Sequence, residues 1–314
     1  MALLTTAPAG ADHSGPARRR AAPPSEPGAR APRRLRLDVL GLTPFAAYVL
    51  VFLAVPTLLA VGSGFVGADG GFTLDNVAAL ADPVIVATFV NSIGLSLLTA
   101  VIGAIVGAVL CYALLAFRAE GAVRATVAAI SGVLAQFGGV MLAFAFIATI
   151  GLQGVVTVWL RDVWGIDIFA DGAWIYGLPG LVLPYIYFQV PLMVITFLPA
   201  LTALKAHWLE ATLTLGGTRG AFWRRVAMPV LAPSFLASFL LLFANGFSSY
   251  ATAAALASQG SQIVPLQIRT ALTSETLLGR ENLAGALALG MIVVMALVMW
   301  GYAVVQGTAA RWQK

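Results

Sequence analysis

The chain has 314 residues, 60% of them hydrophobic and only 10% charged, with a mean hydropathy of +0.92. A soluble domain carries roughly 25% charged residues, so an ordinary water-soluble globular protein is excluded and an all-α polytopic membrane protein is expected. The formal net charge of +5 does not indicate nucleic acid, because the basic side chains follow a membrane topology instead of forming one patch.

Residues 1–37 come first. Seven of the 18 Lys and Arg residues (Arg18, Arg19, Arg20, Arg30, Arg33, Arg34 and Arg36) lie here among Pro, Ala and Gly with no apolar periodicity. A disordered basic tail is expected, suited to topology and to anionic membrane lipid. It lacks the short apolar core and cleavage site of a signal peptide.

Six apolar runs follow that are long enough to cross a bilayer, which takes about 20 helical residues. They lie near 39–62, 86–117, 125–150, 178–200, 231–257 and 283–306. Between the third and fourth, Trp159, Trp164, Trp174 and Tyr176 mark a segment too mixed to span and suited to the membrane interface. With the N-terminus inside, the cytoplasmic side receives fifteen of the 18 basic residues, leaving only Arg161, Arg269 and Arg280 opposite. The positive-inside rule then places both termini, and the loop after the fourth run, in the cytoplasm.

No Asp, Glu, Lys, Arg or His falls in 39–68, 83–117, 125–160, 172–204, 226–268 or 282–310. Proton coupling uses ionisable groups at membrane depth, so the chain is either a passive pore or is driven by another subunit. Polar but uncharged residues do occur in the runs: Asn91, Ser92, Ser96, Gln136, Gln189, and the dense group Asn245, Ser248, Ser249, Tyr250 and Thr252. They have two readings, a wet translocation path or hydrogen bonds between helices. Gly103, Gly107 and the Gly138-Gly139 pair are expected to let helices pack closely.

Catalytic chemistry has no foothold. Cys111 lies alone in an apolar run, and His13 and His207 have neither carboxylate nor cysteine neighbours, so no metal site is expected. No phosphate-cradling GxxxxGK[ST] loop occurs, so any ATP must be hydrolysed elsewhere.

The loop 205–229 is a polar island in this apolar chain. Leu201, Leu204, Trp208, Ala211 and Leu215 recur at three-to-four-residue spacing and predict a short amphipathic helix over 205–215. Gly216-Gly217 permits the positive φ that ends it. Arg224 and Arg225 suit the headgroup level, and Pro229 and Pro233 fall at the start of the next span.

The spacing Glu210-Ala211, Gly216 and Val226-x-Met228-Pro229 resembles the EAA loop of binding-protein-dependent ABC importer permeases, with Thr212, Val226 and Met228 standing for alanine, isoleucine and leucine. The resemblance covers about 39–306 and implies the six-helix type I (MetI-like) architecture. The domains would be the tail 1–37 and a transmembrane domain 38–310. It further implies that Glu210, Ala211, Leu213, Leu215, Gly216 and Pro229 form the coupling loop docking on a cytoplasmic ATPase. Among the polar residues of the spans, Gln136, Gln189, Asn245, Ser248, Ser249 and Tyr250 are the candidates for the path. The opening LTPFAAYVLVFLAVPTLLAVGSGF and the later FANGFSSYATAAALAS look like the spermidine/putrescine-type branch, which implies a polyamine-like cargo but also includes ferric iron, thiamine, phosphonate and sulfate permeases.

By the same resemblance the chain is not an enzyme but an inner-membrane permease that binds no cofactor. ATP and Mg would be held by two ABC ATPase subunits. A second homologous permease (a heterodimer) and an extracytoplasmic binding protein complete the expected partners. The alternative of another class is a channel or secondary carrier acting without ATP.

Overall fold

The computed structural model describes residues 37–67, 69–118, 121–257, 263–273 and 282–311. The expected disordered tail lies almost wholly outside them. Two compact units divide the chain, Met1–Val51 and Phe52–Lys314. In the first, helix α1 (Leu37–Val49) contains Pro44 and leaves the apolar Phe45 and Tyr48 exposed, as side chains facing lipid are.

The second unit is a helical bundle: α2 (Val55–Ser63), α3 (Asp75–Ala78), α4 (Pro83–Leu114), α5 (Ala122–Gln136), α6 (Gly139–Ile150), α7 (Val155–Trp164), α8 (Leu178–Thr202), α9 (Ala206–Thr214), α10 (Arg219–Phe222), α11 (Met228–Phe247), α12 (Ala251–Leu256), α13 (Val264–Thr273) and α14 (Leu283–Arg311). Among the described residues there is no strand, only one bridge between Val66 and Phe72. Six segments among the described residues are long and apolar enough to cross a membrane: Leu42–Ser63, Pro83–Leu114, Gly139–Trp164, Leu178–Thr202, Arg219–Phe247 and Leu283–Val304.

The core forms where α4, α8 and α11 meet. Pro83 opens α4 at a position where its missing N–H costs nothing, and the Asp82 carboxylate accepts from the Val84 N–H at 2.9 Å. Gly103 and Gly107 then bring α8 close: a Cβ at Gly107 would stand 2.5 Å from Met193 Cβ, and one at Gly103 2.8 Å from Gln189 Cβ. The pairs 103–189 and 107–193 rise together, so α4 and α8 run parallel and finish at one end. Gly246 of α11 faces Ser96 while Leu242 faces Gly103, so α11 runs antiparallel and starts at that same end. Small residues are what permit such close approach in a membrane, where lipid tails supply no hydrophobic drive between helices. Arg124, buried at the start of α5, donates from Nε to the Leu114 carbonyl at 2.8 Å, satisfying a carbonyl at the end of α4.

Two expected spans are not continuous. The third, expected over 125–150, breaks at Phe137–Gly138 into α5 and α6, with Gly139 at φ +71°. The Gly138-Gly139 pair therefore interrupts the helix, where close packing was expected. The fifth, expected over 231–257, breaks at 248–250 into α11 and α12. The segment expected to be too mixed to span is divided: its first part, the amphipathic α7, falls within the membrane-length segment Gly139–Trp164, and the remainder holds a 3-10 turn at Trp174–Tyr176.

Proline placement shapes the other helices. A π-turn, Trp223–Ala227, joins α10 to α11 just before Pro229, and another, Leu50–Ala54, precedes Pro56. A proline ring clashes with the carbonyl four residues back and cannot donate to it; a wider turn there relieves both problems.

Candidate functional site

Two places depart from the apolar bundle. The first is the α9 loop, at the end where α4 and α8 finish. Helix α9 covers Ala206–Thr214, and Gly216 follows in the left-handed region at φ +79°. The Gly216 N–H reaches the Leu213 carbonyl at 3.0 Å and the Gly217 N–H reaches the Thr212 carbonyl at 2.9 Å. These are the two bonds of a Schellman stop, which satisfies carbonyls the helix would otherwise leave open. Thr218 then starts α10 by accepting from the Ala221 N–H at 3.2 Å.

Glu210 and Ala211 are exposed on α9, Leu213 is 43% exposed and Leu215 88%. Arg219, Arg224, Arg225 and Pro229 are exposed as well. The chain thus presents a carboxylate and two leucines on a short helix flanked by arginines.

The second place is where the two broken helices meet. The Gly139 N–H, first in α6, donates to Thr252 Oγ1 at 2.9 Å, tying one break to the other. Tyr185 of α8 donates its hydroxyl to the Ser249 carbonyl at 2.8 Å. Thr252 is fully buried, and with Tyr185 it satisfies backbone groups that the breaks release. Non-helical backbone at membrane depth is tolerated only where protein or a wet cavity covers it.

Of the path candidates, Ser248 and Tyr250 are exposed on the second break, Ser249 and Asn245 are half-buried beside them, and Gln136 is exposed just before the first break. Gln189 lies apart from them. It is fully buried between α4 and α11, donates from Nε2 to Thr99 Oγ1 at 3.0 Å, and leaves Oε1 without a partner. Ser92, on α4, accepts from the Val264 N–H at 2.8 Å and so pins the start of α13.

An open cleft of about 390 Å³ lies against the second break, lined by Ser248, Tyr250, Arg269, Thr273 and Met291 among others. Sequence reasoning placed Arg269 by its sidedness alone and not beside the candidate path. The residue sits one position beyond the charge-free run 226–268, and only the packing of α13 brings it to the break. A glycine pair inside an apolar run, a common mark of a turn, was the available signal for the first break.

The described residues contain no group of His, Cys, Asp and Glu able to hold a metal.

No family model matches the chain. A search of solved structures pairs it with a chain of a bacterial ABC transporter involved in the import of the acidic polysaccharide alginate, at a TM-score of 0.70 and 17% identity, covering 88% of this chain and 96% of that one. The chain has the fold of an ABC importer permease.

Curated relatives point the same way. It is 27% identical over 209 residues to the trehalose transport system permease protein SugB of Mycobacterium tuberculosis, covering 65% of this chain and 66% of SugB. It is 29% identical over 167 residues to the molybdenum transport system permease protein ModB of Mycobacterium bovis, covering 52% and 57%. The spermidine/putrescine permease protein PotC of Haemophilus influenzae is 25% identical over 215 residues, covering 67% and 72%. The matches thus span two thirds or less of the length of SugB and ModB. These permease relatives are transport components rather than enzymes, and their names divide among sugar, molybdenum and polyamine systems. With six apolar helices and such relatives, the chain is a multi-pass inner-membrane protein.

Proposed function

We propose that this chain is the membrane-spanning permease subunit of an ATP-driven, binding-protein-dependent importer, with the α9 loop as its coupling element. The observation that carries the reading is the α9 surface: Glu210, Leu213 and Leu215 stand free on a helix held in shape by its own Schellman stop. A leucine 88% exposed outside the apolar spans gains most from a groove on a partner protein. That partner is a cytoplasmic ATPase, which holds the ATP and Mg; the excess of basic residues at the α9 end supports a cytoplasmic placement. Gly216 sets the turn, and Pro229 opens the span through which movement reaches α11.

Cargo is delivered by an extracytoplasmic binding protein and passes beside the two helix breaks, where Gln136, Asn245, Ser248, Ser249 and Tyr250 offer polar, uncharged side chains. Gln189 contributes from within the bundle by positioning α4 against α8. A second homologous permease completes the path. The polyamine reading rests on the sequence resemblance and on a relative such as PotC, whereas the positive charge of Arg269 at the cleft works against a polycation.

The test assembles the full chain with its cognate ATPase and binding protein. Glu210→Lys and Gly216→Pro are expected to insert in the membrane at normal levels and to lose binding-protein-stimulated ATP hydrolysis. Normal stimulation in both variants sinks the docking role.

A further inference from the structure

We infer that the cleft at the second helix break selects for anionic solutes, and that Arg269 sets this preference. The inference rests on the permease reading above, in which the break borders the path.

The argument begins with depth. Met291, on the cleft wall, is eight residues into α14, about 12 Å along the helix. Its neighbours across the cleft are Ser248 and Tyr250, which belong to non-helical backbone between two apolar helices. Unwound backbone and a guanidinium are both expensive against hydrocarbon, and a water-filled passage removes that cost. The cleft is therefore wet.

The next step is charge. Arg269 is exposed and lines the cleft, while no Asp or Glu does so among the described residues. Among the described lining residues Arg269 carries the single charge, and in an open cleft whose other walls are largely apolar (Ile268, Leu272, Met291) it raises the local concentration of anions.

Donor chemistry completes the picture. The Ser248 hydroxyl is engaged by the Ala244 carbonyl at 2.9 Å and the Thr273 hydroxyl by the Arg269 carbonyl at 2.9 Å. Among the described residues that leaves the Arg269 guanidinium and the Tyr250 hydroxyl as the donors facing the cleft. A planar fork of N–H groups beside one phenolic O–H matches the oxygens of a carboxylate, sulfate-like or phosphate-like solute. Because Arg269 stands at an exposed break, it favours entry of the anion without enclosing it.

The experiment uses the full chain in proteoliposomes with a cysteine reporter, Leu272→Cys, placed one turn from Arg269 in the cleft wall. Leu272 is 61% exposed, and the native Cys111 is fully buried, so the unmodified chain serves as the blank. Reaction rates are measured with a negatively charged sulfonatoethyl and a positively charged trimethylammonioethyl methanethiosulfonate. Arg269→Gln is expected to slow the anionic reagent and speed the cationic one by about fivefold each, lowering their rate ratio about 25-fold, from one unit charge acting across a few ångströms of water. Arg269→Lys restores the ratio and Arg269→Glu inverts it. A second reporter, Leu215→Cys on the α9 loop, keeps its ratio in all three variants. In the unsubstituted Arg269 background, raising salt to 1 M also flattens the ratio, because the Debye length falls to about 3 Å; this readout stands even if a variant fails to fold. Rapid reaction with both reagents at a ratio that ignores Arg269 and salt overturns the anion preference and leaves the wet path intact. No reaction with either reagent overturns both.

Discussion

The α9 loop and the paired helix breaks use the same two devices, a glycine at positive φ and a threonine hydroxyl, in opposite surroundings. At α9, Gly216 has open space around the site of a Cβ, and its neighbours bond to carbonyls one turn away. At the breaks, Gly139 lies 113 residues from the Thr252 that satisfies it, and Thr252 has no exposure. The first arrangement is local and solvated, so water can replace any bond that is lost. The second is non-local, and the Thr252 hydroxyl is sealed from solvent, so a lost partner leaves a poorly satisfied polar group. The contrast separates an exposed, locally built loop from a joint held by distant partners.

Substitutions can break or sharpen that contrast. The largest effect is expected within the α4–α8 contact. Gly107→Val forces a Cβ within 2.5 Å of Met193 Cβ and 3.0 Å of the Val190 carbonyl, and overpacking of this kind costs about 1–3 kcal/mol or more. A steep drop in the melting temperature of the detergent-solubilised protein is the expected reading, and an unchanged melt contradicts the tight α4–α8 approach. Next comes Thr252→Val, which keeps the shape and removes the acceptor from a part-buried N–H, at about 1–3 kcal/mol. Thr252→Ser retains the acceptor and should recover most of that loss; equal melts for the two variants would show that the joint does not depend on the hydroxyl.

A smaller effect is expected at Gly216→Ala, where only backbone strain of about 1–2 kcal/mol acts, with no clash. Hydrogen exchange should quicken at Leu215–Gly217 and stay slow in α4 and α8. Spread of the effect into the core would erase the distinction between the two regions. The smallest belongs to Gln189→Met. It loses the bond to Thr99 but also removes the stranded Oε1, so stability should change by less than about 1 kcal/mol. A large loss would mean that Oε1 has a partner, such as a buried water.

Much of the α9 loop was legible because its determinants are neighbours in the chain. The apolar spacing from Leu201 to Leu215 and the glycine pair place its helix and its stop within a residue or so of Ala206–Thr214 and Gly216. The breaks were not legible in the same way. Gly138-Gly139 and Ser248-Ser249-Tyr250 could be read as packing residues or polar glue within continuous helices. Only the distant partners Thr252 and Tyr185 make an interruption affordable in an apolar layer.

Composition, charge placement and helical periodicity by themselves determined that this is a multi-pass helical membrane protein with an exposed amphipathic helix after the fourth run. Each of these follows from residues within a turn or two of one another, or from the cost of placing charge in hydrocarbon. Tertiary structure alone decided that two spans are broken, that the breaks are joined through Gly139 and Thr252, that Gln189 is sealed in the core, and that Arg269 lines the cleft beside Ser248 and Tyr250. Those outcomes depend on which helices become neighbours, a choice made by small-residue packing and by the demand that every buried backbone group find a partner.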